Sequence, residues 1–197
     1  MTEVELKAVV HDPAAARTRV EAAGGVLDFE GALEDRRYDT RTSALARRDH
    51  VLRTRVYRDS TGARATVDWK GATRQEGGYK VREEIGAAVA DPDALALILQ
   101  RLGYRVSREI DREVAQYALG EATVRFERYP QMDVLVEVEG PPAEIERAIA
   151  VLAMPRDAFT GERLVDFVRR FEERTGRRAA LNHREAAGNV PRRAVRR

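Results

Sequence analysis

Apolar and polar residues alternate with a period of two in eight stretches of the chain: 2–10, 26–39, 50–58, 63–70, 79–88, 104–118, 121–128 and 133–140. That is the period of a β-strand, in which successive side chains point to opposite faces. Four other stretches carry the helical period. Asp12-Pro13 opens the first and Gly24-Gly25 ends it. Asp91-Pro92-Asp93 opens the second, which places Leu95, Ile98, Leu99 and Leu102 on one face and stops at Gly103. Pro141-Pro142 opens the third, which carries Ile145, Ile149 and Leu152. Residues 161–176 form the fourth, with Leu164, Phe167, Val168 and Phe171 inward and Gly176 as its end. Asp followed by Pro supplies a cap and a pre-set first turn, and Gly stops a helix readily. Adjacent strands are close enough for hairpins, so the pattern predicts an α+β fold on a largely antiparallel sheet.

The polar faces of these strands are charged rather than merely hydrophilic. Glu3, Glu5 and Lys7 oppose Val4, Leu6 and Ala8. Arg53 and Arg55 oppose Leu52, Thr54 and Val56; Asp68 and Lys70 oppose Val67 and Trp69. Lys80, Arg82 and Glu84 oppose Val81 and Ile85. Arg125 and Glu127 oppose Val124 and Phe126, and Glu137 and Glu139 oppose Val136 and Val138. Arg112 and Gln116 share a face of the sixth stretch. Acids gather on the first and last strands, bases on the middle ones. If helices cover the apolar faces and the sheet curls, the charged faces become the lining of a channel.

Composition sharpens this picture. The 197 residues include 35 basic and 33 acidic ones, a net charge of +2. Residues 177–197 alone hold seven arginines and one acid, so the body is net negative. This segment lacks periodicity and reads as a disordered tail. Only three basic residues are lysines, Lys7, Lys70 and Lys80, and all three fall on the charged lattice. Cysteine is absent, which excludes disulfides, thiol catalysis and iron–sulfur clusters. His11, His50 and His183 are scattered, which argues against a His-based metal site. No apolar run approaches the ~18 residues of a membrane span and no signal peptide opens the chain, so the expected compartment is the cytoplasm.

Glu3, Glu5, Glu137 and Glu139 would present carboxylates together if the first and last strands meet. Oxygen ligands without His or Cys suit a hard cation, Mg²⁺ or Mn²⁺. Lys7, Arg53, Arg55, Lys70, Lys80, Arg82 and Arg112 supply the positive charge, and guanidinium and ammonium groups both match phosphate oxygens. Acids and bases in one cavity imply a polyanion that brings its own divalent metal, as a triphosphate does. Pairing the charges only with one another would stabilise less than an apolar filling.

These residues resemble a known family. Glu3-Val4-Glu5-Leu6-Lys7 is similar to the ExExK opening of the CYTH superfamily, the triphosphate tunnel metalloenzymes. That superfamily includes class IV adenylyl cyclases, thiamine triphosphatases and inorganic triphosphatases. Leu52-Arg53-Thr54-Arg55, Trp69-Lys70-Gly71, Lys80-Val81-Arg82-Glu83-Glu84, Arg112 and Val136-Glu137-Val138-Glu139-Gly140 continue the likeness in order. The resemblance implies an eight-stranded closed tunnel over 1–176 with helices packed outside. It implies metal binding by Glu3, Glu5, Glu137 and Glu139, with Glu84 and Glu127 as further candidates, and triphosphate binding by the seven bases named above. Lys7 is the candidate catalytic residue. The chain departs from the pattern twice: Glu127 stands where many members have Asp, and Ile110 takes the first of two usually basic positions, with Arg108 as a substitute. The expected activity is metal-dependent hydrolysis of a triphosphate. The alternatives are a class IV adenylyl cyclase and a noncatalytic polyanion- or RNA-binding module. The partner expected is a small triphosphate rather than nucleic acid or membrane, and the protein is expected to be a monomer or homodimer.

Overall fold

Each of the eight expected strands forms in the computed structural model, which describes residues 2–188. The strands are β1 (Thr2–Val9), β2 (Val26–Thr40), β3 (Val51–Asp59), β4 (Gly62–Lys70), β5 (Arg74–Glu76), β6 (Tyr79–Val89), β7 (Tyr104–Leu119), β8 (Ala122–Arg128) and β9 (Leu135–Glu139). The helices are α1 (Pro13–Ala22), α2 (Pro92–Arg101), α3 (Pro142–Leu152), α4 (Leu164–Thr175) and the short α5 (His183–Ala186). The unforeseen strand is β5, a three-residue arm on β6. Gly77 and Gly78 join the two with φ of 60° and 85°, left-handed values that a tight hairpin requires.

All pairings are antiparallel. The order β1-β9-β8-β7-β2-β3-β4-β6 closes on itself because β1 also pairs with β6, from Thr2↔Glu83 to Glu5↔Lys80. Closure makes each strand's two faces an outside and an inside. Outside, Leu6, Ala8, Val124, Phe126, Val136 and Val138 pack against Ala16 and Val20 of α1 and Ile145, Ile149 and Leu152 of α3. Burying each large aliphatic there is worth about 1.5–3 kcal/mol. That gain holds the alternate, charged residues in the lumen.

α4 starts at Leu164 rather than at 161. Thr160 is tied to β1 by a pair of backbone bonds with Lys7 (2.9 and 2.8 Å), and the Arg163 amide donates to Asp166 Oδ2 (3.1 Å). The helix ends at Gly176, which adopts φ 65° as its left-handed cap. Phe167, with Leu164 and Val168, packs on Ile110, Tyr129, Leu135 and Val9, so α4 covers part of one barrel end.

The expectation of a disordered tail from Arg177 needs correction for its first part. Ala180 pairs with Gln131, the Asp111 amide donates to the Leu181 carbonyl (2.7 Å), and Leu181 enters the cluster under α4. Asn182 Oδ1 caps α5 by accepting from the Glu185 amide (2.9 Å). One leucine seated beside Phe167 is too sparse a signal to show as periodicity. Residues 189–197 lie outside the described residues. Leu181→Ala is expected to cost about 2–3 kcal/mol in urea unfolding; an unchanged midpoint would show that the segment adds nothing to the fold.

Candidate active site

Pairing of β1 with both β6 and β9 brings Glu3, Glu5 and Lys7 between Lys80 and Arg82 on one side and Glu137 and Glu139 on the other. Pairing of β3 with β4, and of β4 with β6, adds Arg53, Arg55, Asp68, Lys70 and Glu84. The result is a cavity of about 410 Å³. Lys7, Arg53, Lys70, Lys80, Arg82 and Arg112 line it, together with Glu5, Glu127 and Glu137. All three lysines are therefore at the cavity wall. Its mouth is framed by Arg37, Tyr38, His50, Arg108 and the Arg163-Leu164-Val165 start of α4. Arg55 shares the inward face with Arg53 but does not border this cavity; it pairs with Asp68 (2.8 Å) and Glu84 (3.5 Å).

The acids divide into two groups. Glu3, Glu84 and Glu139 each offer a carboxylate oxygen, and these atoms lie within 4.8 Å of one another. Lys70 bridges two of them, pairing with Glu3 and with Glu84 (3.1 Å). Glu5 and Glu137 are instead engaged by cations. Lys7 pairs with both, Lys80 with Glu5, and Arg125 with Glu137 (3.0 Å). Glu127 accepts from the Tyr129 hydroxyl (2.5 Å) and pairs with Arg112 (3.0 Å).

Titration follows this division. Burial raises the Glu5 carboxyl, but Lys7, Lys80 and Lys70 outweigh it and hold the group well below its ordinary range. Burial and Glu5 likewise raise Glu137, yet Lys7 and Arg125 bring it down to about 2. Burial works against Lys7, but Glu137 and Glu5 keep it more firmly protonated than a free lysine. Burial, reinforced by Lys7, pushes Lys80 down. In the acid triad the balance reverses. Burial and then Glu5 raise Glu3. Burial, Glu137 and Glu3 push Glu139 up to about 7.

The triad suits a divalent cation. Glu3 Oε2 is buried and makes no hydrogen bond. Three crowded carboxylates with two raised pKa values are what a hard oxygen-seeking ion would relieve. A pH dependence follows. The folded pKa of Glu139 lies above its ordinary 4.5, so the stability from this group is present below that value and lost as pH rises through about 7. Without metal, the melting temperature is expected to fall between about pH 4.5 and pH 7, while Mn²⁺ affinity rises over the same interval. Glu139→Gln is expected to flatten both slopes; equal slopes in the variant would remove Glu139 from the triad.

Four lumen residues are absent from the sequence-derived set. Asp35 is fully buried among Arg53 (3.5 Å), Arg37 (3.7 Å) and Arg112 (3.7 Å). Arg37 is pulled down to about 10 by burial, against the pull of Asp35. Arg125 and Asp68 had the right strand phase to be found. Asp35 and Arg37 did not, because Glu34 to Arg37 is an unbroken charged run that hides its faces. Ile110, at the position where a base was sought, lies in the apolar cluster under α4, and Arg108 sits at the mouth.

A closed antiparallel barrel, apolar outside under its helices and lined inside by interleaved acids and bases, defines the class. The chain belongs to the CYTH family: the family model, described as the CYTH domain, matches residues 1–160. A candidate adenylate cyclase from Vibrio parahaemolyticus shares the fold with a TM-score of 0.73 at 18% identity, over 86% of this chain and 98% of that one. A protein from Pyrococcus horikoshii OT3 aligns with a TM-score of 0.69 at 20% identity, over 85% and 98%. A candidate adenylyl cyclase from Hippeastrum, described as revealing a dominant triphosphatase activity, aligns with a TM-score of 0.60 at 16% identity, over 92% and 99%. No curated protein matches the chain.

Proposed function

We propose that the protein is a divalent-metal-dependent phosphohydrolase acting on inorganic triphosphate or on a nucleoside or thiamine triphosphate. The carrying observation is that Lys7, Lys70, Lys80, Arg53, Arg82 and Arg112 border one cavity beside the triad of Glu3, Glu84 and Glu139. A triphosphate is a short row of anions, and its transfer chemistry needs positioning and charge neutralisation more than covalent help. Mg²⁺ or Mn²⁺ held by the triad would supply Lewis-acid polarisation of phosphoryl oxygens. Lys7, fixed between Glu5 and Glu137, acts as a permanent positive charge and not as a proton acceptor. Lys80, which burial drives toward its neutral form, is better suited to exchange a proton. Arg82 is steadied by the Gly71 carbonyl (2.7 Å) and the Asp49 carbonyl (2.6 Å), which fixes its guanidinium fork.

The alternative is a class IV adenylyl cyclase; the Vibrio protein is described as a candidate adenylate cyclase. Cyclisation would require the ribose 3′-OH in line with the α-phosphate, and Tyr38, His50 and Val51 at the mouth are the groups that would meet sugar and base. Hydrolysis needs only the charged wall and a water. Tripolyphosphate, ATP and thiamine triphosphate should be assayed with Mg²⁺ or Mn²⁺ at matched free metal, reading phosphate, pyrophosphate and cyclic AMP. Tripolyphosphate is expected to show higher kcat/KM than ATP, and ADP and phosphate to exceed cyclic AMP. Dominant cyclic AMP and pyrophosphate, with tripolyphosphate only inhibiting, would overturn the hydrolase reading.

A further inference from the structure

The inward-facing row of the barrel changes character along its length. On β3 it passes from Arg53 and Arg55 to Tyr57. On β2 it passes from Asp35 to Leu33, which registers with Tyr57 on one side and Arg112 on the other. On β7, Val114 follows Arg112 by two residues. Side chains two apart share a face, and no register shift interrupts these segments, so Leu33, Tyr57 and Val114 point into the lumen with the cations. With Phe29 they form a buried cluster of their own, apart from the core under α1 and α3. None of the four borders the charged cavity.

The packing of this cluster is specific. Phe29 and Tyr57 meet edge to face with ring centres 5.2 Å apart. The guanidinium of the exposed Arg64 lies 4.2 Å from the centre of the Tyr57 ring and 5.4 Å from that of Phe29. The Arg55 guanidinium lies 5.8 Å from the Tyr57 ring. Cations thus rest against an aromatic pair on the β7–β2–β3 side of the lumen. A phosphate moving through this section would shed its water against hydrocarbon, which is costly without new partners. The α4 mouth, by contrast, is framed by Arg37, Arg108 and Arg163.

We propose that Phe29 and Tyr57 make the charged cavity blind, so that a triphosphate enters through the α4 mouth with a free terminal phosphate leading, and a polyphosphate capped at both ends is refused. The inference rests on the triphosphate reading above and adds the required end group, a free terminal phosphate. Any organic group of the substrate then stays at the mouth, and products leave by the route the substrate used.

The test is isothermal titration calorimetry of the full chain with Mg²⁺, using tripolyphosphate, ATP and diadenosine tetraphosphate. The last carries the same formal charge as ATP and has no free terminal phosphate. It is expected to bind at least about 100-fold more weakly than ATP. Equal affinity would overturn the blind cavity and leave the triphosphate reading standing. No binding of either tripolyphosphate or ATP would instead overturn the triphosphate reading itself, and the blind cavity with it. In a folded Phe29→Ala, Tyr57→Ala variant the capped ligand is expected to gain at least about tenfold. A folded double variant that still refuses it would remove these two residues from the role. If that variant does not fold, the wild-type comparison still decides.

Discussion

Glutamine at both Glu3 and Glu139 is expected to lower metal-dependent turnover of tripolyphosphate by about 100- to 1000-fold. The substitution keeps each side chain's shape and removes the charge that would hold the cation. It also removes two carboxylates that burial and mutual repulsion make costly in the metal-free protein. The metal-free melting temperature at about pH 8 is therefore expected to stay level or rise. Activity and melting curves must be read together, because loss of fold would lower both. Full turnover by the double variant at limiting metal would separate the triad from the chemistry.

Lys7→Met is expected to be more damaging than any single change among the other lysines. Lys7 is buried and pairs with both Glu5 and Glu137, so its loss leaves two buried carboxylates without their shared counter-ion. Removing one partner of such a set costs about 3–5 kcal/mol. The pH dependence has a definite sign. Glu137 titrates near 2 in the folded protein against an ordinary 4.5, so its stabilisation is present above about pH 4.5 and lost as pH falls toward 2. The stability gap between wild type and variant, measured by urea unfolding, is expected to be widest near neutrality and to narrow below about pH 4.5. A gap independent of pH would mean that Lys7 matters for packing and not for charge. Lys7→Arg tests the shape of the same site: a larger fork between fixed acids is expected to reduce kcat/KM even though the charge is kept.

Much of this site was legible because strands impose a strict period. Once Val4, Leu6 and Ala8 are assigned to one face, Glu3, Glu5 and Lys7 must share the other, and the same reasoning places Lys80 with Arg82 and Glu137 with Glu139. Arginine dominance made the three lysines conspicuous, and all three reach the cavity wall. The reading failed where the period is masked or where neighbours come from distant strands. The run from Glu34 to Arg37 shows no apolar phase, so Asp35 and Arg37 were invisible as lumen residues. The sequence makes Glu5 a main ligand and Glu84 an auxiliary one; it does not show that the β4–β6 register sets Lys70 beside Glu84, that Glu84 stands with Glu3 and Glu139, or that lysines pair with Glu5.

By itself the sequence determined which side chains share a strand face, where the four longer helices lie, and that the charges of both signs belong to one surface. These are consequences of local geometry, carried by residues two to four positions apart. Only the tertiary structure decided which acids stand together, which bases are spent on them, and which apolar side chains join them in the lumen. The meeting of Glu3, Glu84 and Glu139 depends on the β1–β9 and β1–β6 pairings that close the ring. The apolar cluster of Phe29, Leu33, Tyr57 and Val114 likewise gathers residues from three strands. A strand's period says that a side chain points inward. What it meets there is set by the shear and closure of the whole barrel, which no single strand encodes.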